Sequence, residues 1–140
     1  MPTLYLLDGN IITALTQLNP VTRQYIAALS PDDEMFTCFI VVGEWEYGVL
    51  NAPIDRLRQE IRKQGELALS GMSRIIESSP AINRVYGEIA AELRRAGTMI
   101  PQNDMWIAAV ARVVGATVVT HDNHFRKVKN LPVVDWTKDA

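Results

Sequence analysis

Apolar residues recur along this chain in two rhythms. Runs of four to six, closed by turn residues, read as buried strands, and stretches with apolar positions three and four apart read as helices. "LYLL" (4–7) is a first buried strand. "NIITALTQL" (10–18) is a helix stopped by Asn19-Pro20, and "PVTRQYIAALS" (20–30) is a second helix with Pro20 at its start. "MFTCFI" (35–40) is rich in β-formers and predicts the second strand. "VVGEWEYGVLNA" (41–52) predicts a helix that Gly43 and Gly48 weaken. A longer amphipathic helix follows at 53–72, then a short strand at "SRIIES" (73–78). Ser79-Pro80 opens a helix over 81–97, and another runs over 102–115 to a stop at Gly115. "ATVVT" (116–120) and "LPVVDW" (131–136) complete the strands. Strands alternating with helices predict an α/β fold: a central, mainly parallel sheet covered on both faces. No repeat, low-complexity tract or linker divides the chain, so one domain over 1–140 is expected.

Composition narrows the class without changing the fold. With 48% hydrophobic and 21% charged residues, the chain is that of an ordinary soluble globular protein. The formal net charge of −2 gives no whole-molecule basic field, so nucleic-acid binding needs a local patch or a metal. Cys38 is the single cysteine; it cannot form an internal disulfide, and its apolar neighbours predict a buried thiol. No signal peptide and no membrane-length apolar run are read, so a cytoplasmic location is expected.

The acidic residues carry the chemistry. Asp8 directly follows the first buried strand, and Asp122 stands just past "ATVVT". Strands of one parallel sheet put such residues at a shared carboxyl edge, where open α/β sheets place ligands. Asp104 opens the helix "DMWIAAVARVVG", whose residues 107, 110, 111 and 114 mark a buried face. Glu44 lies early in the helix after the second strand and points to the same edge if that strand is parallel. Each has a plain structural reading: a helix cap for Asp8 and Asp104, a solvated face for Glu44 with Glu46 equally well placed, and a turn for Asp122. Four acids at one edge are harder to dismiss, because clustered carboxylates repel unless a cation neutralises them. Hard oxygen donors favour Mg²⁺ or Mn²⁺, and such a cluster suits metal-assisted phosphodiester hydrolysis. His121 and His124 flank Asp122, and surface-turn roles are expected for both, because an acid-only site suffices. Arg56, Arg58, Arg62 and Lys63 form a basic stripe diluted by Asp55 and Glu60. Arg126, Lys127 and Lys129, just after Asp122, are stronger candidates for phosphate contacts. Core or interface packing is expected for Trp45 and Trp106.

Four segments together resemble the PIN-domain nucleases, and within them the VapC-type toxins of bacterial toxin–antitoxin pairs. "LLDGNII" is similar to the family's opening motif, usually Leu-Asp-Thr-Asn-Ile-Ile. "VVGEWEYGV" is similar to the second, in which Glu stands four residues before Gly, a spacing that selects Glu44 over Glu46. "QNDMWIAAVA" and "VVTHDNHFRKVKNLPVVDW" resemble the third and last motifs. Gly9 replaces the family's usual Thr or Ser, and Trp45 its frequent Leu, but no carboxylate is lost. The resemblance implies a PIN-like three-layer α/β/α fold and a Mg²⁺-dependent endoribonuclease, with Mn²⁺ as substitute. It implies Asp8, Asp104 and Asp122 as metal ligands and Glu44 as a ligand or general base. Asn10 and Thr120, beside the acids, are expected to support them. The implied partners are a structured RNA such as a transfer RNA, a small cognate antitoxin, and a second copy of the chain in a homodimer, assembling with antitoxin into a heterotetramer or larger. Two alternatives are a Mg²⁺-dependent phosphatase and a non-catalytic PIN module. Asp8-Gly9-Asn10 lacks the second Asp of the phosphatase pattern, and non-catalytic modules tend to lose acids that are all present here.

Overall fold

The computed structural model describes residues 2–139; residues 1 and 140, the ends of the expected domain, lie outside the described residues. The elements appear in the expected order: β1 (Leu4–Leu7), α1 (Gly9–Thr16), α2 (Pro20–Ala27), β2 (Glu34–Cys38), α3 (Phe39–Leu50), α4 (Asp55–Ser70), β3 (Ile75–Ile76), α5 (Pro80–Ala96), α6 (Gln102–Val114), β4 (Thr117–Val119) and β5 (Val133–Val134). A 3₁₀ segment, Asn123–Lys127, stands where only a turn was expected. Local chemistry sets several boundaries. Asn19 Oδ1 accepts the N–H groups of Val21 and Thr22 to cap α2, and Ser79 Oγ accepts that of Ile82 to cap α5. Gly97 and Gly115, at φ 70° and 77°, end α5 and α6 in the left-handed region. The strands expected at 73–78 and 131–136 shorten to two residues each, α2 ends at Ala27 rather than at 30, and one boundary changes the type of element. The second strand stops at Cys38, and Phe39 and Ile40 open α3 as half-buried residues. A continuous apolar run does not mark where extended backbone gives way to helix.

The five strands form one sheet in the order β3-β2-β1-β4-β5, and every pairing is parallel. From central β1 the chain steps outward to β2 and β3, then crosses to β4 and β5 on the other side. Between β1 and β4 the winding therefore reverses, and a crevice opens at the carboxyl ends of these two strands. The register sets Leu6 beside Phe36 on one side and Val118 on the other, all fully buried. Flanking helices complete the core. Helix α6 buries Met105 and Ile107–Ala111, a wider face than periodicity alone predicts, whereas Val114 is only half-buried. Alanines 108, 109 and 111 let this helix lie close to its neighbours. Cys38 is buried as expected, and burial pushes its thiol up to about 11. Among the described residues no helix is long and apolar enough to cross a membrane.

Candidate active site

Asp8 is both a cap and part of a site, through different oxygens. Its Oδ1 accepts the Gly9 N–H at 2.8 Å at the start of α1. Its Oδ2 accepts the Thr120 hydroxyl at 2.8 Å and the Asn10 amide at 3.3 Å. Asn10 Oδ1 in turn accepts the His121 N–H at 3.0 Å, and Thr120 Oγ1 accepts the Asp122 N–H at 3.0 Å. The Asp8 N–H donates to the Val119 carbonyl at 2.9 Å. Side chains and backbone thus tie the end of β1 to the end of β4, at the crevice where the winding reverses. Asp8 is 7% exposed, and burial pushes its carboxyl up to about 6. The hydrogen bonds from Thr120 and Gly9 pull the other way, while the charges of Asp104 and Glu44 add to the rise.

Asp104 sits in the first turn of α6, whose N-cap position is Pro101, with no side-chain cap bond. Its carboxylate is committed elsewhere: Oδ2 lies 2.9 Å from Nδ1 of His124, and that same nitrogen lies 2.9 Å from Oδ1 of Asp122. Asp122 Oδ1 also accepts the His124 N–H at 3.0 Å, fixing the start of the 3₁₀ segment. Ligand atoms of Asp104, Asp122 and His124 all fall within 4.8 Å of one another. Burial raises the Asp104 carboxyl above its ordinary range; His124 opposes this, and the charge of Asp122 adds to it. His124 is therefore not the surface-turn residue that was expected. A one-turn 3₁₀ segment folds its ring back between two acids, one of them 20 residues away in sequence. His121 lies outside this cluster, its Nδ1 2.9 Å from Asp135 Oδ2 and its side chain 57% exposed.

Glu44 and Glu46 separate cleanly. Glu46 receives a two-pronged hydrogen bond from Arg62 of α4, at 3.1 and 2.8 Å. Glu44 turns to the crevice, where its Oε2 accepts the Asn103 amide at 3.3 Å. Glu44 is exposed as a residue, yet its carboxyl end loses solvent at the groove wall. That loss raises its pKa, with a further push from Asp104 and a counter-pull from Asn103. Asp8, Glu44, Asp104 and Asp122 all line one groove of about 590 Å³, together with Asn10 and Trp45. Among the described residues this lining holds no Lys or Arg.

The basic candidates lie elsewhere. In the α4 stripe, Arg58 pairs with Asp55 and Arg62 with Glu46. Lys127 and Lys129 line a second concavity, and Arg126 is exposed and lines neither. Trp45 packs between α3 and α4, and Trp106 stacks on Tyr86 with ring centroids 3.8 Å apart.

The sequence matches the family described as PIN domain over residues 5–131. Ribonuclease VapC1 of Haemophilus influenzae is 31% identical over 137 residues, which span 96% of this chain and 99% of the relative. Ribonuclease VapC2 of Rickettsia felis is 28% identical over the same shares. Among solved structures, VapBC2 from Rickettsia felis bound to a DNA fragment from its promoter superposes with a TM-score of 0.86 at 27% identity, covering 96% of this chain and 99% of the other. VapBC-1 from nontypeable Haemophilus influenzae gives 0.84 at 28% identity, covering 97% and 100%.

Proposed function

This chain belongs to the PIN-domain family, and from that premise we propose that it is the ribonuclease toxin of a toxin–antitoxin pair, hydrolysing RNA phosphodiester bonds at its four-carboxylate groove. The observation that carries the reading is the convergence of Asp8, Glu44, Asp104 and Asp122 on one groove at the carboxyl edge of the sheet. The donor set fits a hard divalent cation such as Mg²⁺ or Mn²⁺. It is rich in carboxylate oxygens and free of thiols, and three of the four acids have raised pKa values that a cation would relieve. Asp8, Asp104 and Asp122 would hold the ion, which supplies Lewis-acid stabilisation of charge developing on the scissile phosphate. Asn10 and Thr120 fix the second oxygen of Asp8, the one not engaged by the Gly9 N–H, in place. His124 holds Asp104 and Asp122 at a common distance. Glu44, at the groove wall with its pKa raised by burial, orients the attacking water and accepts its proton. Ile12, Val41 and Trp45 belong to the apolar part of the same groove wall.

The protein works in the cytoplasm with a structured RNA as substrate and a small cognate antitoxin as inhibitor. The VapBC complexes among its structural neighbours support that partner. It also pairs with a second copy of itself, and Tyr47, Leu50, Ile54 and Leu57, exposed near the junction of α3 and α4, are the apolar residues such pairing would cover. Helix α5 is a poorer candidate, because Ile82, Ile89 and Leu93 already face inward. The test is cleavage of total cellular RNA with Mg²⁺ or with a chelator, comparing the parent with Asp104→Asn. Cleavage by the parent with Mg²⁺ is expected, abolished by chelator and reduced by orders of magnitude in the variant, whose fold is retained. Chelator-resistant cleavage, or full activity of Asp104→Asn, would remove the metal-nuclease reading.

A further inference from the structure

The acidic groove presents no cation to the phosphates on either side of a cut, so an RNA held there needs positive charge elsewhere on the molecule. We infer that the second concavity, ringed by Arg95, Arg112, Lys127 and Lys129, is a docking site for the RNA phosphate backbone, separate from the acids; this rests on the ribonuclease reading. The concavity has a volume of about 770 Å³, and Glu92 is the one acid in its lining among the described residues. In a chain of net charge −2, four cations against one carboxylate is a strong local excess. None of the four takes part in an ion pair among the described residues, whereas Arg58, Arg62 and Arg74 do.

Helix ends explain only part of this. Arg95 and Arg112 lie in the last turns of α5 and α6, where the helix dipole favours positive charge. Lys127 and Lys129 belong to neither helix, yet they close the same ring. The Arg112 guanidinium donates to the Lys129 carbonyl, which holds the loop, and with it both lysines, against the helix end. The lining also argues for the kind of partner. Only Ala96 in it is apolar, and a protein interface would offer apolar or aromatic anchors. Backbone phosphates ask only for Lys and Arg on adaptable arms.

Position favours the same RNA that occupies the groove. Helix α6 carries Asp104 in its first turn and Arg112 in its last, roughly 12 Å apart along the axis at ~1.5 Å per residue. The 3₁₀ segment Asn123–Lys127, capped by Asp122, ends on Lys127. One strand or hairpin arm can therefore reach both places.

The test measures binding of a fluorescently labelled RNA hairpin by anisotropy, in chelator, so that no divalent ion contributes and nothing is cleaved. Lys127→Glu/Lys129→Glu is compared with Arg56→Glu/Lys63→Glu, which makes the same charge change on α4. We expect at least tenfold weaker binding for the first pair at about 0.1 M salt. Its plot of log K against log salt should be shallower by about 1.5, near 0.7–0.9 per lost phosphate contact. The α4 pair should lose no more than about twofold. Lys127→Ala/Lys129→Ala, checked by thermal melt, gives the same answer if charge reversal harms folding. Equal losses in both charge-reversed pairs, or none in either, would overturn the inference. So would loss of poly-glutamate binding with RNA binding intact, which would assign the surface to an acidic protein segment. The nuclease reading fails separately: a hairpin that binds through the lysines but is not cut with Mg²⁺ leaves this docking site standing.

Discussion

His124 is the residue that most changes the picture of the site. Its Nδ1 lies 2.9 Å from both Asp104 and Asp122, so one ring holds apart two carboxylates that would otherwise repel at close range. With Asp104 and Asp122 as the proposed ligands, it would act through the acids rather than on substrate, as groups behind metal ligands commonly do. His124→Ala should weaken Mg²⁺ binding and RNA cleavage by roughly 10–100-fold, the usual cost of removing such support. His124→Asn can place its amide nitrogen near the position of Nδ1, and should recover most of that loss. Isothermal titration of Mg²⁺ and single-turnover cleavage together read the difference. If Ala and Asn behave alike, the ring is filling space rather than holding carboxylates. An acid-only site is chemically sufficient and "HDNH" looks like a turn, so local pattern points away from this residue. What was missing is the fold of the 3₁₀ segment, which no local pattern announces.

At the level of elements, what could be read in advance was whatever rests on local pattern. β1 and β4 are apolar runs ended by turn residues, so both were visible, and with them the edge positions of Asp8 and Asp122. Glu44 and Glu46 were indistinguishable by helical position alone, and the family spacing selects the one that lines the groove. The Glu46–Arg62 pair accounts for the difference, because it directs Glu46 to α4 and partly neutralises the basic stripe expected there. Contacts between distant helices were not legible. Gly65 is the buried residue inside α4. A Cβ built on it would lie 2.1 Å from Nε1 of Trp45, so it is the gap into which α3 packs its indole. That nitrogen is buried without a hydrogen-bond partner among the described residues, so the contact rests on shape and on the Arg62 guanidinium of α4, 5.3 Å from the ring centroid. Gly65→Ala should therefore destabilise the fold by about 1–3 kcal/mol through overpacking. This happens although Ala is the better helix former by about 1 kcal/mol. With Trp45→Leu, the residue frequent in the family, the ring is gone and the same Ala should be neutral or stabilising. A urea double-mutant cycle measures the coupling. Additive effects would mean that the helices shift to admit the methyl group freely.

For the whole molecule, the acid groove makes stability depend on pH in a direction unusual for carboxylates. Asp8 has its pKa raised from 3.8 to about 6, so the folded chain holds this proton more tightly than the unfolded one. Its contribution is complete below about 3.8 and is lost as pH rises through about 6. The gap corresponds to roughly 3 kcal/mol at 1.36 kcal/mol per pH unit. Asp104 and Glu44, both raised, act with the same sign. Asp135 acts oppositely: despite partial burial, hydrogen bonds from Thr137 and His121 hold its carboxyl below the usual range, so its share disappears only in acid. Between pH 5 and pH 7.5 the raised group dominates. Roughly half of the Asp8 contribution, ~1.4 kcal/mol, is lost between pH 5 and pH 7.5, so the metal-free protein should melt about 3–6 °C lower at pH 7.5 than at pH 5, taking a few degrees per kcal/mol for a domain of this size. Mg²⁺ should reverse this, because a cation binds the ionised carboxylates and not the protonated ones. The Mg²⁺-induced rise in melting temperature is thus expected to be larger at pH 7.5 than at pH 5, and Asp8→Asn should flatten the metal-free curve. Scanning calorimetry in chelator and in millimolar Mg²⁺ at the two pH values gives all of these quantities. A metal-free melting temperature that climbs from pH 5 to 7.5, with no Mg²⁺ response at either, would mean that the four carboxylates are at ease without a cation.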